Sequence, residues 1–260
     1  MVRTLGRFQF SDTVFSGEVY DDSVYPDPIY QRLDDVYPLS SLVILPPVRP
    51  SKIVCAGLNY VDHAQELNME LPKDPVLFLK PPSAALPHEG LIRYPPISGQ
   101  VDHEAELGVV IGKTCRNVSE DDAFDYILGY TCFNDVTARD LQRTDGQWTR
   151  AKGFDTFAPF GPFVVTPEEL AHQKLSSDRL SISCHVTRGG NKEVRQKAST
   201  ADLIFDIPEL IAFISSVMTL ENGDVIATGT PPGVGELIVG DVVEVEIEGI
   251  GVLRNKVVSG

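Results

Sequence analysis

The sequence predicts a mainly β protein with some α, built as a small β-rich N-terminal domain over residues 1–48 and a larger domain over residues 49–260. Three observations carry this. Apolar and polar residues alternate with period two in several runs, most cleanly in Asp241-Val-Val-Glu-Val-Glu-Ile-Glu248. The 19 prolines and 21 glycines are spread along the whole chain, as a loop-rich β architecture needs. Helical spacing is confined to a few short segments.

In chain order, Arg7-Phe-Gln-Phe and Ser16-Gly-Glu-Val-Tyr are short alternating runs separated by Asp, Ser and Pro, which gives the β-rich start. Leu45-Pro-Pro-Val-Arg-Pro-Ser51 is a stiff, solvated joint. Lys52-Ile-Val-Cys-Ala-Gly then reads as a buried strand that opens the main body. Asp62 is placed to cap a short helix. Ser119-Glu-Asp-Asp122 is a capping-box pattern that starts a helix through Tyr126. Asp206-Ile-Pro-Glu209 starts another, with Leu210, Ile211, Phe213, Ile214 and Val217 at helical spacing, and Asn222-Gly223 stops it. Strands with Gly-rich turns follow. There is no internal repeat and no low-complexity tract.

A hydrophobic content of 42% and a charged content of 23% are those of an ordinary globular chain. The net charge of −15 argues against nucleic acid, whose footprint is a basic stripe. It would also repel an anionic substrate unless local cations, such as a divalent metal, correct the field. No apolar run is long enough for a transmembrane span, so no membrane association is expected. The N-terminus lacks the apolar core of a signal peptide. Cys55, Cys115, Cys132 and Cys184 lie far apart and show no metal or redox spacing, which reads as reduced structural thiols in the cytosol.

The stretch Val101-Asp-His-Glu-Ala-Glu-Leu-Gly-Val-Val-Ile-Gly112 is the most informative. In a strand, residues i and i+2 share a face, so Glu104 and Glu106 converge. Leu107, Val109, Val110 and Ile111 leave no polar face after them, so the carboxylates enter a buried strand. Two poorly solvated like charges repel, and one must be protonated or a cation must sit between them. Oxygen ligands favour Mg²⁺, Mn²⁺ or Ca²⁺. The same spacing at Glu244, Glu246 and Glu248 carries no such meaning, because there the alternation continues and the glutamates face water.

Four other segments carry chemistry, each with a plainer alternative. His63 and Glu66 are three apart on one helix face, where the carboxylate can orient the imidazole as a general base; an exposed, incidental pair has the same spacing. Asp135 ends an apolar strand and serves either as a third metal carboxylate or as a helix N-cap. Arg139 and Gln142, one turn on, can bond a substrate carboxylate, or Arg139 can pair with Asp140 or Asp145 at the surface. Lys152 lies among apolar and small neighbours, as a desolvated lysine would, though surface lysines are common. Thr230 sits in Gly229-Thr-Pro-Pro-Gly-Val-Gly235, either an anion-gripping loop or a plain connection.

Taken together and in this order, these segments, with Pro75-Val-Leu-Phe-Leu-Lys-Pro81, resemble the fumarylacetoacetate hydrolase family over roughly Lys52 to Val258. The first 45 or so residues match it less firmly. The resemblance implies a mixed, rolled β-structure and a homodimer. It implies Mg²⁺ or Mn²⁺ held by Glu104, Glu106 and Asp135, and a water-activating dyad of His63 and Glu66 on a lid segment. Lys152 matches the site lysine, Arg139 and Gln142 match substrate contacts, and Thr230 lies in the carboxylate-binding loop. Leu58 stands where some members carry an arginine, so the resemblance does not extend to a carboxylate contact there.

The implied substrate is a small 2-oxo or enol carboxylic acid, and the implied reaction is hydrolysis of a C–C bond in an acylpyruvate through an enolate. The same enolate serves isomerisation of hydroxydienedioates and decarboxylation of oxaloacetate-like acids. A relative that only binds a metal or a small acid is the alternative of another class.

Overall fold

The computed structural model describes residues 4–29, 36–66 and 70–260, apart from the side chains of residues 63–65. The described residues are mainly β, in one large mixed sheet and two smaller ones. Ala105–Ile111 lies near the middle of the large sheet. It pairs antiparallel with Ile127–Asn134 on one side and with Val225–Ala227 on the other. Val225–Ala227 runs parallel to Ile53–Gly57, which is followed at the edge by Val76–Lys80. Beyond Ile127–Asn134 come Ala158–Val165 and the N-terminal strands.

The apolar run after Glu106 has its cause in this position, because both faces of Ala105–Ile111 are covered. Leu107 and Val109 belong to the main core, with Cys184, Val186, Val245 and Leu253 of the five-stranded sheet and with Leu210, Ile211 and Ile214. Val110, on the opposite face, packs with Ile53, Cys55, Phe133 and Phe160. The C-terminal glutamates behave as their alternation requires: in Val242–Ile247, Val243, Val245 and Ile247 are buried, and Glu246 is exposed.

The N-terminal strands Thr4–Phe10 and Thr13–Tyr20 form a hairpin over a small separate core of Phe8, Phe15 and Val24. They join the large sheet where Thr4 and Leu5 pair with Val165 and Val164. Asp206 caps the helix Ile207–Val217 as its sequence requires: it accepts from Glu209 N (2.9 Å) while Glu209 accepts from Asp206 N (2.8 Å). The helix ends at Val217, ahead of Asn222-Gly223, because Met218 is already extended. Val217 is exposed at that end.

Two helix starts differ from expectation. The segment after Ser119 is only a 3-10 turn, Ala123–Tyr126, with Ser119 and Asp122 bonded outside it. Asp62 falls inside the first turn of Val61–Glu66 and does not cap it. All four cysteines are free and buried, and burial pushes the Cys132 thiol up to about 12. No helix among the described residues is long and apolar enough to cross a membrane.

The joint at Ser51 and Lys52 is held by Asp224, whose side chain is buried just before Val225–Ala227. Its Oδ1 accepts from Ser51 N (2.9 Å), Ser51 Oγ (2.7 Å) and Lys52 N (3.1 Å). Its Oδ2 accepts from Glu221 N (2.8 Å) and pairs with Lys52 Nζ. Burial opposes ionisation of Asp224, but Lys52 and these donors outweigh it and hold the carboxyl below the usual range.

Asp224→Ala should therefore cost about 3–5 kcal/mol in urea unfolding at neutral pH. A folded pKa below the unfolded value stabilises above the unfolded value. The difference between wild type and Asp224→Asn should be flat from pH 5 to 8 and shrink as pH falls below about 4.

Candidate active site and metal centre

The register of two central strands assembles the carboxylates. Ala105 lies opposite Asn134 and Glu106 opposite Phe133, so Glu104 comes opposite Asp135. Asp135 N donates to Glu104 O at 2.9 Å. Glu104, Glu106 and Asp135 share one face by alternation, and each offers an oxygen within 4.8 Å of the others. All three are buried. Ordinary strand geometry is interrupted at Glu104, between Val101–His103 and Ala105–Ile111, without separating the two glutamates.

Three cations answer two of the three carboxylates. Lys152 closes the short helix Thr149–Lys152, and its Nζ lies 2.9 Å from Glu104 Oε2 and 2.5 Å from Asp135 Oδ2. The Phe78 ring lies 4.9 Å beneath the same ammonium. Lys80, at the end of Val76–Lys80, donates to Asp135 Oδ1 and to Val136 O (3.0 Å). Arg139 opens the helix Arg139–Asp145 and pairs with Glu104 Oε1.

Among the described residues, no cation forms an ion pair with Glu106. Its Oε2 accepts from Gly229 N at 2.8 Å. Burial, then Asp135 and Glu104, push its carboxyl well above the usual range. For Glu104 burial acts in the same sense, but Lys152 and Arg139 outweigh it and hold that carboxyl well below the range. Burial lowers Lys80, partly offset by Asp135. For Lys152 burial is outweighed by Asp135 and Glu104, so its ammonium is held more firmly charged than usual.

This donor set fits a divalent metal: three buried oxygen ligands converge, and one of them lacks a counter-charge.

Arg139 makes neither surface pair open to it in the sequence. Its Nε donates to Asp102 Oδ2 (2.8 Å), and its Nη1 bonds Gln142 Oε1. Asp145 pairs with Arg150, and Asp140 accepts from Ser98 Oγ (2.7 Å) and Gly99 N (2.8 Å). Asp135 is not an N-cap, because Ala138 holds that position without a side-chain bond.

A cleft of about 430 Å³ is lined by Glu66, Gln100, Asp102, Arg139, Gln142 and Gly235, among others, and it meets the cluster through Arg139, which pairs with Glu104. Glu66, exposed at the end of Val61–Glu66, accepts from Gly233 N at 3.4 Å. The His63 side chain lies outside what is described. Thr230 is buried, and its hydroxyl donates at 2.9 Å to the carbonyl of Ala105, the residue between Glu104 and Glu106.

Sequence reasoning assigned no role to Lys80 or Asp102. Asp102 had a signal: Asp-x-Glu-x-Glu puts it in phase with Glu104 and Glu106. Lys80 had a weaker one, a lysine that ends an apolar run ahead of Pro81.

Residues 52–258 match the fumarylacetoacetate (FAA) hydrolase C-terminal family. The crystal structure of 5-carboxymethyl-2-hydroxymuconate delta-isomerase from Mycobacterium smegmatis is similar, with a TM-score of 0.88 and 41% identity over 99% of each chain. So is that of maleylpyruvate hydrolase from Sphingobium sp. SYK-6, in complex with manganese (II) ion and pyruvate, with a TM-score of 0.83 and 31% identity over 99% of each chain. A mitochondrial oxaloacetate tautomerase of Rattus norvegicus is 44% identical over 231 residues, which cover 85% of this chain and 71% of that protein. With its carboxylate cluster on the central strands of this fold, the chain belongs to the fumarylacetoacetate hydrolase family.

Proposed function

We propose that the protein is a divalent-metal-dependent enzyme that hydrolyses a C–C bond in a small acylpyruvate-type 2-oxo acid. The observation that carries this reading is the buried cluster of Glu104, Glu106 and Asp135 beside an arginine-lined cleft. Mg²⁺ or Mn²⁺ held there supplies Lewis-acid stabilisation of an enolate. The manganese and pyruvate held by the maleylpyruvate hydrolase relative support the choice.

The chain's own groups do the rest. Arg139 has five N–H groups, and three are bound to Asp102, Glu104 and Gln142. The others are donors for a substrate carboxylate, and the packed guanidinium holds them in place. Gln142 accepts from Arg139 through Oε1 and keeps its Nε2 as a further donor. Lys152 is a fixed positive charge at the cluster, which lowers the cost of negative charge developing there.

His63, oriented by Glu66, takes a proton from water as the water oxygen bonds to the distal carbonyl carbon. The C–C bond then breaks, its electron pair leaves as the enolate, and a proton completes pyruvate and a carboxylic acid. This dyad stands on Val61–Glu66, whose last residue accepts from Gly233 N. We assign the working unit as a homodimer on the same family resemblance.

The similarity to an oxaloacetate tautomerase favours a second reading, in which the same enolate is reprotonated on carbon without water attack.

Metal-stripped protein should be inactive toward a panel of 2-oxo acids and recover with Mg²⁺ or Mn²⁺, with products identified by NMR. Glu106→Gln should lower kcat/KM by about 10³-fold or more and weaken Mn²⁺ binding; metal-dependent turnover at the wild-type rate would refute the assignment. His63→Ala separates the two readings. Hydrolysis should fall by about 10²–10⁴-fold, whereas turnover that survives in this variant would identify tautomerisation.

A further inference from the structure

We infer that Gln196 is a positioning residue that, through Thr230, fixes the peptide between Glu104 and Glu106 and so sets their separation for the metal. The inference rests on the metal reading above and adds a residue outside the carboxylate set.

Gln196 lies on Asn191–Ser199, where the burial pattern inverts ordinary strand logic. Gln196 is 1% exposed and Val194 is 59% exposed. The inversion has a local cause. Cys184 pairs with Gln196 but His185 pairs with Val194, so Arg195 is an extra, bulged residue. A bulge re-aims the side chains beside it, and here it turns Gln196 inward.

Every hydrogen-bonding position of the Gln196 amide is used. Oε1 accepts from Ala105 N at 3.0 Å and lies 3.1 Å from His103 Nδ1. Nε2 donates to Thr230 Oγ1 at 2.8 Å and to Pro231 O at 2.7 Å. Thr230 Oγ1 in turn donates to Ala105 O at 2.9 Å. The N–H and C=O of Ala105 are thus both gripped by one connected pair of side chains.

The need for this grip follows from the sheet. Val225–Ala227 pairs with Ala105–Ile111 only from Gly108 onward, so at Ala105 that neighbouring strand has ended. Gln196 and Thr230 take the place of the missing ladder where the two glutamates must be held. Gly233 seals the arrangement: a Cβ there would fall 2.2 Å from Arg195 O, so only glycine lets the loop close on the bulge.

The test is Mn²⁺ titration of the metal-free full-length protein, followed by EPR, at a temperature where circular dichroism shows each variant folded. Gln196→Ala should weaken the Mn²⁺ Kd by about 10–100-fold, the range for outer partners of metal ligands. Thr230→Val, a near-isosteric change, should weaken it at least about tenfold and serves alone if Gln196→Ala does not fold. Phe8→Leu, in the N-terminal core, controls for lost stability and should leave the Kd unchanged. A folded Gln196→Ala or Thr230→Val with a Kd within about fivefold of wild type overturns the inference alone. A wild-type chain that fails to bind Mn²⁺ overturns the metal reading itself.

Discussion

Three carboxylates buried on one face of a sheet are the constraint around which the rest of this molecule is arranged. Two unit charges under 5 Å apart, at an effective dielectric near 20, interact by roughly 3–4 kcal/mol. A domain's whole stability is only about 5–15 kcal/mol. The fold therefore carries the cluster only because Lys80, Lys152 and Arg139 stand against it. Those cations are attached to Asp135 and Glu104, and among the described residues Glu106 is left with the backbone donor Gly229 N. This asymmetry suits the site to a divalent cation, because the carboxylate with the weakest protein partner is the one a cation would relieve most.

The scaffold explains how such a cluster is tolerated. Ala105–Ile111 is covered on both faces, so its apolar residues anchor it from Leu107 onward and the charged end cannot slip. Register against Ile127–Asn134 then puts Asp135 opposite Glu104 without any special turn. The helix that follows starts at Arg139, which returns its guanidinium to the same carboxylate. Strand order, register and one helix start thus place an anion and its counter-charge together.

Much of this was legible in the sequence. Period-two alternation distinguished the solvated Glu244–Glu248 strand from Glu104 and Glu106, because loss of alternation signals burial on two faces. Asp206 and Glu209 announced their helix through a capping box that acts within four residues. Local signals misled where tertiary contacts decide. Ser119 and Asp122 bond as a cap but yield only a 3-10 turn. Arg139 had nearby acidic residues available and instead pairs with Asp102 and Glu104, which are remote in sequence. Lys80 was only faintly marked as a site residue, because its partner, Asp135, is 55 positions away.

By itself the sequence determined the fold class, the buried carboxylate pair and, through ordered motifs, the family, since each depends on spacing within one element or on motif order. Only the tertiary structure decided which cation answers which carboxylate. It also turned the Thr230 hydroxyl toward Ala105 and brought Gln196 from a bulged strand into the same network. Those outcomes depend on strand register and loop closure across long separations, and no local pattern encodes them.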